Sequence, residues 1–153
     1  MALMSDEDRG FLQKHFQQEL QQPVKIHYFT QRQSPLVIPG VQVQECAYCK
    51  ETHQLLEEIT SLSPNLQLEV HDFVAEAQLA QTLGVDKIPA TVLESDGRNN
   101  LRYYGIPSGY EFATIIEGIV DVSRGDSELS TKTKEALAAL AEDVHIQVMV
   151  TPT

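Results

Sequence analysis

Only two of the 153 residues are cysteine, Cys46 and Cys49, so the disulfide framework that staples small secreted domains cannot be built. Basic residues are scarce as well: 11 Lys and Arg stand against 22 Asp and Glu, a net charge of −11, and none of the basic side chains cluster. A phosphate-neutralising surface is therefore missing, and nucleic acid is not expected as a partner. The acidity also repels anionic partners. No apolar run approaches the ~18 residues that span a bilayer, so no membrane partner is expected, and residues 1–10 are acidic and polar rather than a signal peptide. Internal repeats and low-complexity tracts are absent too. What is present is ordinary: 42% of residues are hydrophobic, and the length fits one domain with its own core. The cytoplasm is the expected compartment, and there a C-x-x-C pair is more often redox-active or metal-binding than structural.

The two cysteines lie three residues apart in Glu45-Cys46-Ala47-Tyr48-Cys49-Lys50, where a helical pattern begins. Residues at that spacing share a helix face, and a disulfide across the first turn matches the ~5.5 Å Cα separation the bond prefers. A helix N-terminus offers unpaired N–H groups and roughly half a positive charge, which stabilise a thiolate. Cys46, nearest the open end, is thus the expected nucleophile and Cys49 the resolving thiol. Two other readings stay open. One is a zinc site completed by His53, although a second cysteine pair is missing; the other is a pair of inert buried thiols.

Around this motif the periodicity gives alternating helices and strands. Ser5 and Asp8 mark the start of a helix over 6–21 with Leu12, Phe16 and Leu20 as its buried stripe, and His15 packed at its edge. Pro23 ends it, and 24–30 reads as a strand. Residues 31–45, rich in Gln with Pro35, Pro39 and Gly40, read as a loop with a short alternating extension at 41–44. That loop is either an inert insertion or a flap beside the thiols that screens partners. The cysteine helix carries Thr52, Leu55, Ile59 and Leu62 inward. A strand follows with Leu66, Leu68 and Val70 alternating, then a helix over 74–83 with Ala75, Leu79 and Leu83 inward and Gly84 just past its end. Thr91-Val92-Leu93, a turn over 95–100 and a return strand over 101–106 form a hairpin. A last core helix carries Phe112, Ile116 and Ile119 and stops at Arg124-Gly125. Ser130 caps a shorter helix to about residue 141, anchored by Leu137 and Leu140. A terminal strand over 144–150 presents Val144, Ile146, Val148 and Val150 on one face.

This order, with Cys46-Ala47-Tyr48-Cys49 opening a helix and an Ile-Pro before a hairpin, resembles the thioredoxin/glutaredoxin fold. More closely, that motif, Gly84-Val85-Asp86-Lys87-Ile88-Pro89-Ala90-Thr91 and Tyr104-Gly105-Ile106-Pro107-Ser108-Gly109-Tyr110-Glu111-Phe112 are similar to the N-terminal unit of the protein disulfide oxidoreductases. Those proteins carry two thioredoxin-type units in tandem. The resemblance runs to Thr153, and in that family the run from Val144 opens the second unit and leads at once into its own C-x-x-C. The expectation is an α/β, thioredoxin-like fold, a central mixed sheet flanked by helices, with an extra C-terminal helix and strand. It divides into a thioredoxin-like domain over 1–143 and a C-terminal strand over 144–153.

The resemblance further implies a cis Ile88–Pro89 bond, with Pro89 packed against the disulfide and the Ile88 backbone free to pair with an extended substrate strand. Tyr48, Ile88 and Pro89 are thus the expected substrate-binding residues beside the catalytic Cys46 and Cys49, with no cofactor and no metal. The function expected is disulfide exchange with protein disulfides and dithiols, fed by a thioredoxin-reductase-like donor. Two alternatives are a non-catalytic docking module, able to form a homodimer through the C-terminal strand, and an electron-relay domain serving a peroxidase. Glutathione-dependent chemistry gains from Tyr48, yet Arg32 is the only nearby guanidinium to anchor that tripeptide.

Overall fold

The computed structural model describes residues 4–31 and 46–149, with backbone only at Asn99 and Asn100. The expected flap, its extension at 41–44 and Arg32 lie outside the described residues, apart from Gln31 at the flap's start. So does the end of the chain from residue 150.

Helix α1 (Asp6–Glu19) starts where Ser5 accepts the Asp8 N–H at 3.1 Å and donates its own hydroxyl to the Asp8 carboxylate at 2.6 Å. Three acids in its first turn face the positive end of the helix dipole. The chain then enters strand β1 (Val24–Thr30), crosses through helix α2 (Cys49–Thr60) and returns as strand β2 (Leu66–Asp72), parallel to β1. Helix α3 (Ala77–Thr82) leads to the hairpin of strands β3 (Ala90–Ser95) and β4 (Arg98–Tyr104), and helices α4 (Tyr110–Arg124) and α5 (Thr131–Ala138) follow. The hairpin turns on Asp96 and Gly97, whose φ angles of 51° and 73° are the pair a two-residue type I′ turn requires. The sheet order is β2-β1-β3-β4, with β3 antiparallel to both neighbours. This is the mixed, helix-flanked sheet expected from the sequence.

One face of the sheet holds the main core, in which Leu12 and Phe16 of α1, Leu55, Leu56 and Ile59 of α2, and Ile115, Ile116 and Ile119 of α4 pack on Val24, Ile26, Tyr28 and Leu93. The other face carries a smaller core of Phe29, Ala80, Leu83, Val85, Ala90 and Val92. Ser123 ties α4 to the link between α1 and β1: its hydroxyl accepts the N–H groups of Gln21 and Gln22 and donates to the Gln22 carbonyl. No helix among the described residues is long and apolar enough to cross a membrane.

Three expectations are corrected. On β2, Leu66 is buried, but Val70 is 44% exposed while His71 is buried. The strand is a sheet edge; Val70 borders an open groove it lines with Leu66, Leu68 and α2 residues, whereas His71 is covered by the Phe29 ring at 5.0 Å. Helix α3 starts at Ala77, not Val74, because the Asp72 carboxylate accepts the N–H groups of Val74 and Ala75 and holds that stretch as a turn. Ala80 and Leu83 face inward, and Ala75 is exposed.

The third correction concerns the C-terminus. Ser130 caps α5 as expected, accepting the Thr133 N–H at 3.2 Å, yet Leu137 and Leu140 stand 50% and 54% exposed and join neither core among the described residues. Residues 144–149 form no strand in this chain, and Val144, Ile146, Val148 and Met149 are all exposed. A strand exists only where its N–H and C=O groups find a ladder partner, and neither edge of this sheet pairs with the run.

Candidate functional site

The cysteines stand where the sequence puts them, at the start of α2. Cys46 precedes the helix, Tyr48 occupies the cap position and Cys49 is the first helical residue. Cys46 and Cys49 are joined in a disulfide with a Cα separation of 5.5 Å. Cys49 is buried at 6% exposure, Cys46 is only partly covered, and Tyr48 is 57% exposed. Of the two cysteines, then, Cys46 is the more accessible and Cys49 the more buried. The side chain of Tyr48 caps nothing; instead its carbonyl accepts the N–H and the hydroxyl of Thr52, at 2.9 and 2.7 Å. The unpaired N–H groups of this first turn favour a thiolate, and Glu51 in the same turn opposes it.

Below the disulfide lies a residue the sequence reading passed over as an ordinary strand position. Tyr28, fully buried on β1, donates its hydroxyl to the Cys49 carbonyl at 2.6 Å. Burial pushes its pKa up, against smaller opposite effects of the Thr30 and Thr52 hydroxyls, so the phenol keeps the proton it donates. His53 stacks on the Tyr28 ring at 5.7 Å and approaches Glu57 at 3.5 Å. In this oxidised state the two sulfurs are bonded to each other. The signal that could have found Tyr28 is its parity: it shares an inward face with Val24 and Ile26 at the end of the strand that leads to the motif.

Ile88 and Pro89 enter β3 through a cis peptide, with Pro89 buried and its carbonyl accepting the Gly105 N–H at 2.9 Å. The register sets Ala90 across from Phe29 and Thr91 across from Tyr28. Pro89 therefore lies at the same end of the sheet as the tyrosine that holds Cys49. Thr91 is wholly buried there, and its Oγ1 has no hydrogen-bond partner among the described residues. Thr91→Val, which keeps the shape and removes a hydroxyl that no described residue pairs, is expected to stabilise the fold by about 1 kcal/mol, read as a higher urea midpoint at unchanged slope. A loss of stability would show that the hydroxyl has a use in the folded chain.

The fold has relatives among solved structures. A protein disulfide oxidoreductase from Aeropyrum pernix is 25% identical with a TM-score of 0.70, over 89% of this chain and 55% of that one. The N-terminal domain of the alkylhydroperoxide reductase AhpF from Enterococcus faecalis is 21% identical with a TM-score of 0.74, over 91% of this chain and 62% of that one. This chain thus spans less than two thirds of either. No protein-family model and no curated protein matches it. The chain is a thioredoxin-like unit similar to those of the protein disulfide oxidoreductases. That fold, together with a C-x-x-C disulfide at a helix start, supports thiol–disulfide redox chemistry.

Proposed function

We propose that this thioredoxin-like chain is a dithiol–disulfide oxidoreductase domain that exchanges disulfides with protein substrates. The observation that carries the reading is the asymmetry of the pair at the start of α2, a partly covered Cys46 beside a buried Cys49. In the reducing direction the Cys46 thiolate attacks one sulfur of a substrate disulfide and the other leaves as a thiolate. Cys49 then attacks Cys46, releasing the second substrate thiol and leaving Cys46–Cys49 oxidised. The substrate gains two electrons, which a dithiol donor of the thioredoxin-reductase class returns to the pair in a cytoplasmic setting. Tyr48 supplies an exposed aromatic contact, and the resemblance supports Ile88 and Pro89 as the edge on which an extended substrate lies. Direction depends on potential, where about 30 mV corresponds to about 1.4 kcal/mol. A redox titration of Cys46–Cys49, followed by disulfide-reduction assays with and without glutathione, tests the reading. Turnover of a protein disulfide without glutathione is expected; a strict need for glutathione would replace it with glutaredoxin chemistry.

The docking reading gains from the C-terminus. Residues 144–153 are then a segment apart from the domain over 1–143, and the apolar side chains exposed at Leu137, Leu140, Val144, Ile146 and Val148 are covered by the same run of a second chain, paired across a two-fold axis. Sedimentation should then show a dimer for the whole chain and a monomer for one ending at Ala141. Monomers in both cases would remove this reading.

A further inference from the structure

On the α3 face of the sheet, away from the cysteine helix, two histidines and a carboxylate converge. His27 Nδ1 and His71 Nε2 are 3.1 Å apart, and Glu69 Oε2 lies 3.4 Å from the first and 3.9 Å from the second. These atoms come from the parallel register of β1 and β2, which sets Glu69 beside His27 and His71 beside Phe29, all on one face. The ligand atoms of the three lie within 4.8 Å of one another. A tetrahedral zinc ion with bonds of about 2.0–2.1 Å needs its ligand atoms about 3.3 Å apart.

Each of the three is also held from behind. His71 Nδ1 faces Glu76 at 2.8 Å, His27 Nε2 faces Glu94 at 3.3 Å, and Glu69 Oε1 pairs with Lys25 at 3.0 Å. A carboxylate only accepts, so the ring protons belong on His71 Nδ1 and His27 Nε2. That leaves His27 Nδ1 and His71 Nε2 presenting lone pairs toward each other and toward Glu69 Oε2. Both rings are buried, at 6% and 8% exposure for His27 and His71, whereas the Glu69 side chain is 42% exposed and opens a path from solvent. Three carboxylates against Lys25 leave two negative charges, which a divalent cation neutralises.

We propose that His27, His71 and Glu69 form a site for a divalent transition ion, Zn²⁺ by donor type, with Glu94, Glu76 and Lys25 orienting the ligands. Two imidazoles and a carboxylate are ligands of borderline softness, suited to Zn²⁺ rather than to Ca²⁺ or Mg²⁺. Carboxylates on the far ring nitrogens are the usual support of a zinc histidine. The competing occupant is a single proton shared between the two rings. Sequence reading sought a metal only around the cysteines, because His27 and His71 are 44 residues apart and read as alternate positions of two separate strands.

The test uses the whole chain with its disulfide oxidised, so that the thiols are not ligands. Titration with Zn²⁺ against a chromophoric chelator should count one ion per chain. Glu69→Gln, at an exposed position the fold tolerates, and Glu94→Gln, a positioning residue, should each lower affinity by about 10-fold or more; His71→Ala should abolish uptake. Co²⁺ in place of Zn²⁺ should give visible d–d bands without the charge-transfer absorption of a thiolate ligand. No uptake by the oxidised wild-type chain assigns the cluster to the shared proton and overturns the proposal. Uptake equally strong in Glu69→Gln and His71→Ala overturns it as well, placing the ion on a surface histidine such as His53 or His145.

Discussion

Cys46→Ser is expected to lose disulfide exchange entirely, while Cys49→Ser accumulates a mixed disulfide with its substrate. The difference follows from the unequal burial of the two cysteines. Cys46, ahead of α2 and partly covered, is the one a bulky protein disulfide can reach, and Cys49 is 6% exposed. Removing the outer sulfur removes the attack itself. Removing the inner one leaves the attack and deletes only the intramolecular step, whose advantage is the high effective concentration of a thiol held one turn away. Non-reducing electrophoresis and mass spectrometry of the Cys49→Ser protein with a disulfide substrate should show a covalent adduct that dithiothreitol releases. Limiting iodoacetamide should label Cys46 first in the reduced wild type. Turnover of the Cys49→Ser variant at the wild-type rate would falsify the two-thiol mechanism, and first labelling of Cys49 would reverse the assignment.

How much of this was legible in sequence depends on whether the deciding contact was local. The cysteine pair and the Ser5 and Ser130 caps are set by residues within a few positions of one another, and each forms where the pattern puts it, whereas the turn expected over 95–100 tightens to Asp96-Gly97 and the return strand starts at Arg98 rather than Leu101. Strand β2 was harder, because the alternation of Leu66, Leu68 and Val70 says that the faces differ and not that a histidine on the polar-looking face is capped by Phe29. Tyr28 was missed for the same reason: its partner is a carbonyl 21 residues on, and an aromatic in a strand reads as core. At the C-terminus periodicity misled, since four alternating apolar residues describe a strand only once a neighbour exists to pair with it.

The second large effect is expected far from the cysteines, on α1. Phe11 and Phe16 occupy the same helix, one 67% exposed and the other 1% exposed. Phe16 enters the main core among residues of α2, α4 and β1, whereas the one ring contact found for Phe11 among the described residues is a stacking on His15 at 6.1 Å. Replacing either by Ala improves intrinsic helix propensity to the same degree, so the difference between the two variants isolates burial. Phe16→Ala deletes a buried ring and leaves a cavity, at a cost of about 3–5 kcal/mol. Phe11→Ala should stay within about 0.5 kcal/mol of the wild type. With a urea slope of roughly 2 kcal/mol per M, the first lowers the midpoint by about 2 M and the second leaves it in place. The measurement is urea unfolding followed by far-ultraviolet circular dichroism, with the disulfide kept oxidised in all three proteins. Against a total stability of roughly 5–15 kcal/mol, Phe16→Ala takes a large share, because α1 is also the element that brings Arg9 and the Met4 N–H to the Glu58 carboxylate on the cysteine helix. Loosening α1 weakens two of the contacts to that nearly buried carboxylate, a further loss beyond the cavity. Equal midpoints for Phe16→Ala and Phe11→Ala would mean that α1 is not docked on the sheet in solution.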